Sequence, residues 1–446
     1  VTARGAACVA TVACGIVATA AIFHPGTMSV DALLQLEEAR KGVFFDWHPP
    51  VMSWVLGRLD VLLPGPFGLL LLHNVMFWSG LGLMVYLRDL PAGWSSGLIL
   101  GIGSLPPILS ALGTLWKDVG MASALLLAAG LLRYADRRSS GTALALGLAC
   151  LAYGFAIRHN AALAAYPLAL WAGAILVARV AGPAGGRLRR SLVVGHVLFA
   201  AMGLVVLTVD EMLIGKHLFP SQQILIHDLT ALSVRTGTVY VPDTLVERGG
   251  PITLPALACL YTPESAVAVF HARRGECALQ LRKITSGRRM VQIGLAWARA
   301  VPRHPGAYAA HRLSVWREML ALGRDRVCYP LQSGTDPNTL GLQFRPTPLF
   351  EPVQRISRFA ADETPLFRPW IYLVATLVWL TAALTVARAE TLAAAVVGSS
   401  ALLYALGYVV TGTTCDFRML WWPIVAATVL PLLLRRRAVE VREARS

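Results

Sequence analysis

Charged residues are scarce in this chain, at 15% of 446 residues, against roughly 25% in an ordinary soluble domain. That shortage argues against a surface that faces water everywhere. With 56% apolar residues and a mean hydropathy of +0.58, a surface that faces lipid accounts for it. Cysteine is sparse too, seven in all, too few for a disulfide scaffold. The long polar segment 215–368 has no glycine-rich nucleotide loop and no metal-protease motif, and the chain shows no inverted repeat of the kind that marks many transporters. The net charge of +15 does not point to nucleic acid, because the basic residues are scattered through short connections and form no single stripe.

What is present is a series of apolar runs, near 6–23, 66–87, 93–115, 118–135, 141–157, 160–179, 191–214, 369–388, 391–411 and 419–434. Windows such as Cys8–Phe23, Phe67–Leu87 and Trp370–Ala387 approach the ~20 apolar residues that cross the hydrocarbon core, where unhydrated backbone must be helical. The first run follows Arg4, but Phe23-His24-Pro25 is not a small-residue cleavage site, so it is read as a retained helix. Pro106-Pro107 predicts a kink in the third run. Two segments are too polar to cross: 24–65, and about 150 residues over 215–368. The expected fold is an all-α polytopic membrane protein with about ten transmembrane helices, a long first outer loop and a mixed soluble outer domain. Its parts are an N-terminal transmembrane module (1–214, with outer loop 24–65), a soluble extracytoplasmic region (215–368), and C-terminal helices with a basic cytoplasmic tail (369–446). In the soluble region Ser265–Leu279, Met290–Ala300 and Ala307–Leu322 carry amphipathic helix patterns.

Orientation follows from the basic residues of the short connections. With the N-terminus inside, the inner connections hold Arg88, then Arg133, Arg137 and Arg138, then Arg179, Arg187, Arg189 and Arg190, then Arg388, then Arg435-Arg436-Arg437. This is the pattern of a multi-pass protein of a cell inner (plasma) membrane, with 215–368 on the periplasmic or exterior side. An oxidising compartment allows disulfides there without requiring them: Cys259–Cys277 closes a short loop, and Cys328–Cys415 is the remaining pair. The outer short loops depart from the basic rule, holding Lys117-Asp118, Arg158-His159-Asn160 and Asp416-Phe417-Arg418. Ionisable groups at a membrane boundary are functional more often than those on a soluble surface.

Transfer of a group from a phosphate carrier needs a base for the acceptor hydroxyl and cations for the leaving phosphate. Asp31 in the first outer loop suits the first role, and Lys117, Arg158, His159 and Arg418 suit the second. Each also has a plainer reading. Asp31 is a good helix cap, Asp46 and His48 can order the loop before Pro49-Pro50, and Lys117-Asp118 can anchor and cap the fourth run. Arg158 can snorkel, and Asp416 with Arg418 can be a local ion pair. His227-Asp228, Arg303-His304 and His311-Arg312 read as solvated surface.

The first outer loop runs from Asp31 through Glu37-Glu38 to Gly42-Val43-Phe44-Phe45-Asp46-Trp47-His48-Pro49-Pro50. An acidic residue soon after the first helix, followed by G-x-F-F-D-x-H-P-P before the second, resembles the first outer loop of the protein O-mannosyltransferases. More distantly it resembles the lipid A aminoarabinose transferases and other membrane glycosyltransferases of the GT-C class. The resemblance implies a GT-C-like bundle that moves a sugar from a polyprenyl-phosphate donor to a glycan, lipid or protein acceptor on the non-cytoplasmic face, inverting the anomeric centre. It matches Asp31 to the catalytic acidic residue and Asp46 with His48 to the second acidic motif. Ala32 stands where the mannosyltransferases have a second carboxylate, and the spacing from Asp31 to Asp46 is shorter than theirs, so neither mannose nor a protein acceptor is specified. Neither a cofactor nor a metal is expected, because the outer loops supply cations for the phosphate. The competing expectation is a transporter or flippase of a lipid-linked glycan. Charges within the runs are scarce, however, and those at the boundary collect on one face.

Overall fold

A segment away from water must satisfy its own N–H and C=O groups, so the apolar runs fold as helices. The computed structural model describes residues 2–180, 186–248, 250–270, 277, 279–323, 327–386 and 391–434. Its helices in chain order begin with α1 (Ala3–Phe23), α2 (Val30–Lys41), α3 (Pro50–Leu62), α4 (Phe67–Tyr86), α5 (Ala92–Gly103) and α6 (Pro106–Leu112). They continue with α7 (Lys117–Arg138), α8 (Gly141–Ala156), α9 (Ala162–Arg179), α10 (Arg187–Leu213), α11 (Gln222–Thr236) and α12 (Leu254–Leu260). The last are α13 (Gly287–Arg303), α14 (Pro305–Met319), α15 (Phe350–Glu363), α16 (Pro369–Val386), α17 (Leu392–Thr411) and α18 (Trp421–Val429).

Every expected run contains helix, but the runs are not equal. Among the described residues six helices are long and apolar enough to cross a membrane: α1, α4, α7, α9, α10 and α17. A seventh candidate is the pair α5 and α6, bent by 71°. Pro106 and Pro107 sit in the first turn of α6, where missing N–H groups are tolerated, so the expected kink is a full break between two helices. Three apolar helices are shorter: Gly141–Ala156, Pro369–Thr385 and Phe417–Leu432. The 16 residues of α8 rise only about 24 Å, less than the ~30 Å hydrocarbon thickness. The outward side of α10 exposes Val193, Val197, Leu204, Val205, Leu207 and Met212, an apolar exterior suited to lipid.

The 24–65 segment is itself mostly helical. Gly42, at φ 65°, ends α2 in the left-handed conformation that spares glycine a Cβ clash. A short strand β1 (Phe44–Phe45) then pairs in parallel with β2 (Ile214–Lys216), tying this segment to the end of α10. In the 215–368 region, β3 (Val246–Arg248) and β4 (Gln280–Leu281) pair antiparallel. Ile226, Leu229, Leu257, Leu279, Leu281 and Ile293 belong to a second hydrophobic core there. That region does not share one core, because Val315, Met319, Phe350, Ala360 and Phe367 join the core of the helix bundle. The ring of Phe350 meets that of Phe23, the last residue of α1, at 5.9 Å. Of the expected outer helices, Met290–Ala300 lies within α13, and Ala307–Leu322 coincides with most of α14. Over Ser265–Leu279 the described helix is only a 3-10 turn, Ala266–Val269. Both disulfides form, Cys259–Cys277 and Cys328–Cys415.

Arginines of the expected inner connections sit on helix-end carbonyls at one end of the bundle. Arg133 donates to the carbonyl of Leu432, Arg137 to Leu87 and Arg179 to Ala135, a favourable placement for cations at C-terminal carbonyls; Arg179 also donates to the carbonyl of Ser140, the N-cap of α8. Arg388 and Arg435-Arg436-Arg437 lie outside the described residues.

Candidate active site

At the opposite end of these helices, four chain segments bring ionisable groups together. Asp31 lies in the first turn of α2, but Ser29 is the N-cap, so the Asp31 carboxylate is free to point away from its own helix. Its Oδ2 accepts a 2.7 Å hydrogen bond from Arg418, whose Nε binds Asp416 at 2.8 Å. The Arg418 guanidinium also lies 5.4 Å from the ring centroid of Trp116. His48 Nε2 is 3.6 Å from Asp31 Oδ1, and its Nδ1 meets the Lys117 ammonium. Because an ammonium only donates, Nδ1 accepts and Nε2 carries the proton, directed at Asp31. Lys117 forms no ion pair with a carboxylate among the described residues.

Beside this group is a second one. Arg158 donates to Asp118 Oδ2 at 2.9 Å, to the Tyr408 hydroxyl at 2.6 Å and to Asn160 Oδ1 at 3.2 Å. Tyr404 bonds Tyr408 at 3.0 Å, extending the network into α17. Asp118 is only 1% exposed and Arg158 8%, so this is a fully desolvated pair, not a snorkelling arginine. Three carboxylates (Asp31, Asp118, Asp416) thus face three cations (Lys117, Arg158, Arg418). Four buried polar atoms, His48 Nε2, Asp118 Oδ1, Asn160 Nδ2 and Asp416 Oδ1, make no hydrogen bond among the described residues.

The local fields differ. Burial raises the Asp31 carboxyl, but Arg418, His48 and Lys117 outweigh it and hold the group well below the usual carboxylate range. Asp416 is pushed up by burial in spite of Arg418. Burial and Lys117 keep His48 neutral by moving it well below the usual histidine range, and burial with Lys117 and Arg158 lowers His159 to about 4. Burial raises Glu38 to about 7, opposed by the Ser53 hydroxyl and by Lys117.

Asp46 stands apart from this group. Its carboxylate accepts from the backbone N–H groups of Leu218 and Phe219 and pairs with His217 at 3.3 Å. Both oxygens are thereby engaged in fastening the 24–65 segment to the chain after β2, the arrangement of the plainer loop-ordering reading. His159 donates Nε2–H to the Asp46 carbonyl at 3.1 Å and so braces the same loop.

The His227-Asp228 and His311-Arg312 pairs are buried, contrary to their reading as solvated surface. Asp228 binds Arg312 at 2.6 Å, His311 at 3.1 Å and the Trp297 indole at 2.7 Å. The Trp297 indole supplies the hydrogen bond, to Oδ2, while Arg312 and His311 approach Oδ1 at ion-pair distance, so the buried carboxylate is compensated chiefly by charge.

No protein-family model, curated protein or solved structure matches this chain. The likeness to the GT-C transferases therefore rests on the loop residues 31–50 alone. Sequence reading missed Tyr404, Tyr408 and Glu38. Glu38 had a local signal, since it lies seven residues after Asp31, about two turns along the same face of α2. Among the described residues no group of three or more His, Cys, Asp or Glu is arranged to hold a metal ion.

Proposed function

We propose that this chain is a GT-C-type membrane glycosyltransferase. It moves a sugar from a polyprenyl-phosphate donor to a hydroxyl of a glycan, lipid or protein acceptor at the outer membrane surface, inverting the anomeric centre. In this reading the three shorter apolar helices also cross, giving ten spans with the N-terminus inside. The observation that carries it is the Asp31–Arg418 pair at 2.7 Å, bordered by His48 and Lys117 and collected at one end of an apolar bundle.

Arg418 and Lys117 suit the leaving phosphate, Arg418 by two parallel N–H donors and Lys117 as a point charge that has no carboxylate partner among the described residues. While paired with Arg418, Asp31 is a weak base, because a proton acceptor works best when its pKa lies near ambient pH. A donor phosphate competes with Asp31 for the guanidinium, and Asp416 keeps Arg418 in place during the exchange. Asp31 then takes the proton of the acceptor hydroxyl as its oxygen attacks the anomeric carbon. The bond from that carbon to the phosphate oxygen breaks, and the polyprenyl phosphate leaves with the electron pair. One displacement gives one inversion. Arg158 and Asp118 hold α7, α8 and α17 together behind the site, and Asp46 secures the loop that carries His48.

The test is Asp31→Asn, reconstituted in lipid with a polyprenyl-phosphate sugar, with donor binding and transfer measured separately. Asparagine keeps the size of the side chain, and Arg418 retains Asp416, so binding is expected to persist while transfer falls by about 10²–10⁴-fold. Near-normal transfer by the variant rules out Asp31 as the base. Translocation of the lipid-linked sugar by the wild-type protein without transfer would move the assignment to a flippase.

A further inference from the structure

Asp31 and Arg418 lie 387 positions apart in sequence, and one stretch of chain is bonded to the neighbourhood of both. At one end, Cys328 forms a disulfide with Cys415, and its carbonyl accepts from the N–H of Phe417, the residue before Arg418. At the other end, the Asp336 N–H donates to the carbonyl of Met28 at 2.9 Å, and Asp336 Oδ2 accepts from the N–H of Val30, also at 2.9 Å. Val30 is the first residue of α2 and immediately precedes Asp31. The N-cap Ser29 makes no side-chain capping bond, so Asp336 supplies from a distant part of the chain what the helix lacks locally. Between these ends, Gln332 Nε2 binds Asp336 Oδ1 at 3.0 Å, and Gln354 of α15 holds the Gln332 carbonyl at 3.2 Å. The segment is thus fastened along its length.

The loop bearing Arg418 is gripped from the outer domain as well. Ala266 N–H donates to the Thr413 carbonyl, Cys415 N–H to the Glu264 carbonyl, and Arg312 to the Gly412 carbonyl at 2.9 Å.

We propose that residues 328–336 form a strap that sets the spacing between Asp31 and Arg418, with Asp336 and the Cys328–Cys415 disulfide as its positioning groups. This rests on the transferase reading of the Asp31 site. Among the described residues Asp336 makes no hydrogen bond or ion pair to the side chain of Asp31 or Arg418, so it acts by fixing where α2 begins. A displacement of about 1 Å at a reacting group costs on the order of 10²-fold in rate.

The experiment compares Asp336→Ala, Asp336→Asn and the double variant Cys328→Ser with Cys415→Ser, each as the full chain in lipid nanodiscs. Amide hydrogen exchange and transfer from a polyprenyl-phosphate sugar are both followed. Asp336→Ala is expected to speed exchange over 30–33, and to lower kcat by about 10- to 100-fold with donor KM within about twofold. Asp336→Asn keeps one carbonyl acceptor for the Val30 N–H and is expected to recover most of both. The double variant is expected to speed exchange over 415–418 and to raise donor KM, because Arg418 loses its tether. Should Asp336→Ala fail to fold, Asp336→Asn and the double variant still decide the matter. Unchanged exchange at both places, or an Asp336→Ala defect equally present in Asp336→Asn, overturns the strap. Exchange that responds as stated in a protein that transfers no sugar overturns the transferase reading and leaves the strap standing.

Discussion

Replacing Glu38 by glutamine removes a carboxylate that its surroundings disfavour. Glu38 is 7% exposed, its Oε2 accepts a 3.1 Å hydrogen bond from Ser53, and no cation pairs with it among the described residues. The charged groups around it are Lys117 and Glu37. Burial moves it from an ordinary 4.5 to about 7, and at about 1.4 kcal/mol per pH unit that gap amounts to roughly 3 kcal/mol. The sign follows from proton counting. Between pH 4.5 and 7 the unfolded chain has released this proton while the folded chain keeps it, so the contribution of Glu38 is fully present below 4.5 and is lost as pH rises through 7. Glutamine imitates the neutral form at every pH. Wild type and Glu38→Gln should therefore be equally stable near pH 4, and the variant should gain steadily to an advantage of up to about 3 kcal/mol near pH 8. Thermal unfolding in lipid nanodiscs from pH 4 to 8.5 reads this as a widening difference in Tm. Parallel curves would show that Glu38 titrates normally. A variant less stable at pH 8 would show that Lys117 stabilises an ionised Glu38.

Two further outcomes follow from buried pairs and from covalent structure. Arg158→Ala leaves Asp118, 1% exposed, without its cation, and should cost about 3–5 kcal/mol. Combining Arg158→Met with Asp118→Leu should recover most of that loss, and a single variant as stable as wild type in denaturant titration would contradict the burial argument. Unreduced protein from cells should give Cys259–Cys277 and Cys328–Cys415 peptides by mass spectrometry. Free thiols at all four positions would place the 215–368 region in a reducing compartment and reverse the proposed orientation.

The sequence by itself determined the features set by local chemistry. Each of the ten apolar runs contains helix, and among the described residues six hold a helix long and apolar enough to cross a membrane, as backbone shielded from water requires. Pro106-Pro107 broke the third run because proline lacks an N–H, and Gly42 ended α2 because it tolerates a positive φ. The short connections holding Lys117, Arg158 and Arg418 could be picked out because charge between apolar runs is rare in this chain and so conspicuous. Only the tertiary structure decided which of these groups meet. Asp31 found Arg418, Arg158 found Tyr408 at a separation of 250, and Asp46 turned to the backbone of 218–219. Helical periodicity fixes the face on which a side chain lies, but not which helix covers that face. For the same reason Asp228, Arg312 and His311 could not be seen as buried. Their polarity reads as surface until an indole N–H, a guanidinium and an imidazole meet one carboxylate, and that convergence depends on how α11, α13 and α14 pack.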